Sequence, residues 1–132
     1  MKSFCLAIYL LFASFLCSSA RAQAKQNWPQ FRGPDRTDIS KETNLLQEWP
    51  EGGPKKLWHT DTVGIGYSGP AIVDDRLFIM GAQEKKEFLY AINANSGEKI
   101  WETEIGTLLT NNWGNGPRGT PTVNGQLVYA LS

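Results

Sequence analysis

Residues 88–101 read FLYAINANSGEKIW, and the fold follows from how this stretch divides. Phe88 to Ile92 is a short run of aromatic and β-favouring residues, which predicts a strand. Asn93-Ala94-Asn95-Ser96-Gly97 supplies turn chemistry: Asn and Ser side chains that bond nearby backbone, and a glycine free to take positive φ. Lys99 to Glu104 then alternates charge with bulk, a second strand on which Ile100 and Thr103 need not share a face with Trp101. The unit is a hairpin ending on a large, half-exposed indole that needs a surface to lie against.

Working outward, Ser68 to Val73 and Arg76 to Gly81 predict two more strands joined by a tight Asp74-Asp75 turn. Gln83 to Glu87 is a charged hairpin tip, and Lys56-Leu57-Trp58-His59-Thr60 is a further strand. Two of these patterns recur. Pro121 to Leu131 aligns without gaps on Pro70 to Met80 at a spacing of 51 residues, and Leu57-Trp58 recurs as Ile100-Trp101 at a spacing of 43. The longer spacing is taken up in one loop, Gly106 to Arg118, as insertions between repeats usually are. A repeat of about 40–50 residues with four strands per unit is the pattern of propeller blades.

The strands are apolar on both faces: Leu77-Phe78-Ile79-Met80 and Leu127-Val128-Tyr129-Ala130-Leu131 leave no polar side for water. A two-sheet sandwich would expose one face of each sheet and alternate more strictly. Burial on both faces predicts small sheets stacked face to face, an all-β propeller of four-stranded antiparallel blades.

With that pattern in place, Ala91-x-Asn93-x-x-Ser96-Gly97-x-x-x-Trp101 resembles the tryptophan-docking motif of quinoprotein-type (PQQ-like) β-propeller repeats, A-x-D-x-x-T-G-x-x-x-W. Asn93 stands for Asp and Ser96 for Thr, and both can still bond across the turn. The resemblance implies that the tryptophan of one blade, Trp58 or Trp101, packs on its neighbour while the motif's polar residues tie blades together. It also implies a ring of about 7–8 blades. Only one complete blade, a strand before it and half a blade after it can be read here, so the chain is expected to be the N-terminal piece of a longer protein.

Residues 1–22 are read apart from the repeats. Lys2, an apolar stretch from Phe4 to Cys17 and the small-x-small site Ala20-Arg21-Ala22 describe a cleaved signal peptide cut after Ala22. The apolar run is shorter than the roughly 20 residues a spanning helix needs, and an uncleaved N-terminal anchor is the alternative. An exported protein, periplasmic or extracellular, is expected. Both cysteines, Cys5 and Cys17, leave with the signal. So do Lys2 and Arg21, which brings 13 basic against 13 acidic residues to a net charge of about −2. That balance argues against a nucleic-acid partner, which would call for a basic stripe. No other stretch could enter a membrane.

Residues 23–55 form an irregular lead-in. Trp28, Phe31 and Trp49 are expected to be pinned down, since large aromatics in a solvated tail are costly, and Glu42 to Gln47 allows a short helical turn with Ser40 as N-cap. Trp28-Pro29-Gln30-Phe31-Arg32-Gly33-Pro34, followed by Ile39-Ser40, resembles the lead-in of secreted quinoprotein-like propellers, which packs on the ring before the first full blade. Residues 56–132 are then the incomplete repeats.

Catalytic constellations are missing from the sequence. His59 is a lone strand histidine, and no His or Cys pair has metal spacing. Asp35 and Asp38 could touch a calcium ion but read as polar turn, and no nucleophile elbow, phosphate loop or dinucleotide fingerprint occurs. The resemblance puts pyrroloquinoline quinone (PQQ) and calcium on the propeller axis of quinoprotein dehydrogenases, often below a vicinal disulfide that this chain lacks. Other relatives, the BamB-type outer-membrane assembly scaffolds among them, keep the blade motif without the cofactor.

Two connections, Val63 to Ser68 with Tyr67 and Gly106 to Gly119, should emerge on one side of a propeller. The second carries Asn111, Asn112, Trp113, Asn115 and Arg118 among glycines. Trp113 could stack on a flat ligand or peptide, and Arg118 could take a carboxylate or phosphate. The structural alternative packs Trp113 on a neighbouring blade and ties Arg118 to an inner-strand carbonyl. The favoured reading is an exported binding or scaffold protein with a protein or small-molecule ligand on its loop face. The alternatives are the N-terminal part of a periplasmic PQQ- and calcium-dependent alcohol dehydrogenase and, as a third class, a polysaccharide- or peptide-binding surface protein.

Overall fold

Every regular element in the computed structural model, which describes residues 27–132, is a β-strand. The signal segment expected over 1–22, its cleavage after Ala22 and both cysteines lie outside the described residues. In chain order the strands are β1 (Ala71–Val73), β2 (Arg76–Gln83), β3 (Lys86–Asn93), β4 (Lys99–Thr107), β5 (Thr122–Asn124) and β6 (Leu127–Tyr129). The first four form one antiparallel sheet in the order β1-β2-β3-β4, and β5-β6 form a second, two-stranded sheet.

Consecutive pairing follows from the connections. Asp74-Asp75 and Glu84-Lys85 are two-residue turns, and Asn93 to Gly97 is a turn bonded to itself. β5 and β6 fall where a shift of 51 residues puts β1 and β2, and the register repeats with them. Ala71 opposes Phe78 in the first hairpin, and Thr122 opposes Tyr129 in the second. At the turn, Asp74 has φ +56° and its counterpart Gly125 has φ +58°, so the same positive-φ corner is built once with and once without a Cβ.

Burial on both faces holds in the centre of the large sheet. On one face Phe78, Met80 and Ala82 of β2 oppose Ala91, Leu89 and Glu87 of β3, all buried. Val123 and Val128 of the small sheet pack on the cluster of Ala71, Phe78 and Ala91. On the other face Leu77 and Ile79 oppose Ile92 and Tyr90, the last two fully buried. The segment from Trp58 to Val63 lies over this side, so close that a Cβ on Gly81 would strike the Val63 carbonyl. β4 is the exposed outer strand. The small sheet is less covered than its apolar sequence predicts, and Leu127, Tyr129 and Leu131 are exposed.

The chain from Ile65 to Val73 runs beside the whole of β2 but pairs only at its ends. Ile65 and Ala82 exchange bonds of 2.9 and 2.7 Å, and β1 pairs from Ala71. Between them Pro70 has no N–H to give, and the Ser68 hydroxyl accepts the Met80 N–H at 3.1 Å instead. The expected strand from Ser68 is therefore shortened to three residues.

The lead-in clips the two sheets together. Trp28 exchanges backbone bonds of 2.7 and 2.8 Å with Ile72 of β1, and the next residue, Pro29, accepts the Val123 N–H of β5 at 2.8 Å. Three expectations fail. Phe31 and Trp49 are exposed, not pinned. The helical turn over 42–47 does not form: Asn44 takes φ +58°, and the Ser40 hydroxyl accepts the Glu42 N–H in a local turn. Residues 56–60 are not a strand, because among the described residues no neighbouring strand lies beside them to complete a ladder.

Candidate functional site

The Asn93–Gly97 turn is organised by one side chain. Asn93 Oδ1 accepts the N–H groups of Asn95 at 2.9 Å and Ser96 at 3.1 Å, and the Ser96 hydroxyl accepts the Glu98 N–H. Gly97 closes the turn at φ +77°, with its N–H on the Asn93 carbonyl. This leaves the Ala94 carbonyl pointing outward. The indole N–H of Trp58 donates to it at 2.9 Å, with the ring lying where a Cβ on Gly97 would be. Ala94 and Asn95 also bond Asp75, which ties this turn to the β1–β2 corner.

Trp101 occupies a different setting. It sits on β4 opposite Ala91, its ring centroid 6.0 Å from that of Phe78, and it remains 38% exposed. It borders an open cleft of about 480 Å³ between the two sheets, lined also by Asp75, Arg76, Val123 and Val128.

The two connections expected on one side do meet. Tyr67 donates its N–H to the Pro117 carbonyl at 2.8 Å, and Gly66 lies against Gly116 so closely that a Cβ on Gly116 would stand 3.0 Å from the Gly66 Cα. Within the 106–119 loop, Asn111 is the bracket. Its Oδ1 accepts both the Trp113 N–H at 2.8 Å and Arg118 Nη2 at 3.3 Å, while Arg118 Nη2 also reaches the Gly114 carbonyl at 2.7 Å. The guanidinium carbon stands 4.6 Å from the centre of the Tyr67 ring, a cation–π stack. Arg118 is thus held by its own loop and Tyr67, not by an inner-strand carbonyl. Trp113 is 86% exposed on this fixed turn. Asn112 and Asn115 are exposed beside it.

Beneath the loop lies Glu87, 1% exposed. Its Oε1 accepts the Leu109 N–H at 2.8 Å, while Oε2 is buried without a described protein partner. Leu109 in turn accepts the Gly116 N–H, so the carboxyl group anchors the loop from below. In the sequence Glu87 falls at a charged hairpin tip. Its phase with Leu89 and Ala91 was the signal that places it on the core face. Asn111 is one polar loop residue among several in the sequence, and nothing there singles out its bracketing role.

Titratable groups elsewhere, Tyr90 apart, form local pairs or face solvent. Asp38 pairs with Arg32 at 2.9 Å and Asp35 with Lys41 at 2.5 Å, which makes them lead-in ion pairs and not an assembled cation site. His59 is exposed. Burial, with the Glu102 carboxylate adding to it, pushes the Tyr90 phenol above its ordinary range. The Glu104 carboxylate, 2.6 Å from Lys86 Nζ, raises that ammonium. Among the described residues no three His, Cys, Asp or Glu side chains are grouped to hold a metal ion, and no helix is long and apolar enough to cross a membrane. No known protein family matches the chain, and neither curated proteins nor solved structures give a match.

Proposed function

We propose that this chain belongs to an exported, propeller-type repeat scaffold of the quinoprotein-like kind, which binds a ligand on its loop face without carrying out chemistry there. The observation that carries the reading is Trp58. Its indole reaches across to the next Trp-ending unit, bonds the Ala94 carbonyl and covers Gly97, which is the clasp between repeats that the motif implies. The copying of β1-β2 by β5-β6 in the same register supports it. So does the cleft beside Trp101, the residue equivalent to Trp58, which has room for a further turn of the same kind. A stack of such sheets presents its inner-strand connections on one side, where Tyr67 and Arg118 already meet.

The experiment is a titration of the protein with PQQ and calcium, followed by quinone absorbance and by alcohol-dependent dye reduction. The scaffold reading expects neither uptake nor turnover. Stoichiometric uptake with turnover would replace it with the dehydrogenase. Sequencing the N-terminus of the secreted protein tests export, with Gln23 as the expected first residue.

A further inference from the structure

Resting on the loop-face reading, we infer that the Tyr67–Asn111–Trp113–Arg118 cluster is a subsite for an acidic saccharide, a pyranose chain bearing uronate carboxylates. Three features of the cluster specify that chemistry. The first is an unspent cation. Arg118 has no carboxylate within ion-pairing distance among the described residues, yet it is fixed in place by Asn111 Oδ1, the Gly114 carbonyl and the Tyr67 ring. All of these contacts use Nη2 or the face of the guanidinium, so the hydrogens on Nε and Nη1 remain for an external acceptor. A carboxylate answers them with short, charge-assisted bonds. Because the rotamer is already set, less side-chain freedom is lost on binding.

The second feature is the platform. An indole 86% exposed would ordinarily fold down onto nearby apolar surface. Here the backbone beneath it is held by the bond from the Trp113 N–H to Asn111 Oδ1, and by the Gly114 N–H on the Asn111 carbonyl. One oxygen therefore holds the backbone amide of the stacking residue and the guanidinium of the charged one, so both groups belong to a single bracketed turn. A flat apolar ring beside a cation suits a ligand with a C–H face and an acidic substituent.

The third feature is the rim. Asn112 and Asn115 are exposed on either side of the Trp113-Gly114 corner, and each amide offers donors and an acceptor together, the complement of neighbouring hydroxyls. A bare phosphate would use the cation and leave the indole and amides idle. An acidic peptide would leave the amides without their matching hydroxyl pairs.

The test uses the full chain and calorimetric titration. The probes are oligomers of galacturonate, glucuronate and mannuronate–guluronate, each beside its carboxyl-reduced neutral counterpart, together with an oligoglutamate peptide. At least one uronate oligomer should bind and quench indole fluorescence, with its reduced form about tenfold weaker or more. Arg118→Gln should bring the acidic and neutral forms to within about twofold of each other, and Trp113→Ala should remove both binding and quenching. Far-ultraviolet circular dichroism and urea midpoints are expected to match the parent for both variants.

No uptake of any uronate oligomer at millimolar concentration overturns the inference, as does a preference for the acid that survives in Arg118→Gln. Binding of the peptide alone, dependent on Arg118 and Trp113, would leave the loop-face reading standing and sink the saccharide. Turnover in the quinone titration would sink the reading beneath it.

Discussion

The indole nitrogen of Trp58 donates a 2.9 Å hydrogen bond to the carbonyl oxygen of Ala94, thirty-six residues further along the chain, while its ring covers Gly97. The two halves of this contact separate by mutation. Trp58→Phe keeps a ring over the glycine and strands one carbonyl, a loss of about 1 kcal/mol. Trp58→Ala removes the cover as well and should cost about 3 kcal/mol. Urea unfolding measures both, and equal losses would mean that the ring contributes nothing beyond its N–H.

Tyr90 carries a cost that can be removed. The residue is 0% exposed and its hydroxyl has no described protein partner, so Tyr90→Phe should stabilise the protein by about 1 kcal/mol at neutral pH. The parent also has an alkaline limit. Burial raises the folded phenol above its unfolded value of about 10. The folded state therefore keeps a proton that the unfolded chain gives up. The associated stability is complete below about pH 10 and is lost as pH climbs from there through the folded value. Thermal midpoints between pH 8 and 11 should fall for the parent and fall less for Tyr90→Phe.

Asp74 and Gly125 occupy the same corner of the two hairpins, at φ +56° and +58°. Strain of about 1–2 kcal/mol at a left-handed residue is partly offset by the greater entropy glycine loses on folding. Asp74→Gly should therefore stabilise by about 0.5 kcal/mol, since its backbone bond to Asn27 survives the change. A drop in the urea midpoint would show that the side-chain contact to Asn27 outweighs the strain.

Glu87 should act on the loop and less on the fold. Glu87→Ala frees the Leu109 N–H, and amide exchange over residues 108–116 is expected to speed by at least about tenfold while β2 and β3 stay protected. Unchanged exchange would mean the backbone bonds alone hold the loop.

What was legible in the sequence was local chemistry and repetition. Asn93, Ser96 and Gly97 bond as turn residues must, and the 51-residue echo of Pro70–Met80 is realised as a second hairpin in identical register. Illegible were features set by distant neighbours. Lys56–Thr60 has strand composition but no partner strand, since a ladder needs two sides. Phe31 and Trp49 are aromatic, yet among the described residues no apolar surface covers them. Glu87 was hidden by the charged residues around it although its period-two phase was readable. At the loop face, Tyr67 and Arg118 could be nominated separately, but only the fold stacks one on the other.

The clip made by Trp28 and Pro29 has a consequence for synthesis. Hairpins β1-β2, β2-β3 and β3-β4 close between immediate neighbours and can form soon after each turn leaves the ribosome. The arm is translated earlier, yet its partners Ile72 and Val123 arrive tens of residues later. Water serves its backbone groups through that interval, so the arm is made before its partners and fastened after them.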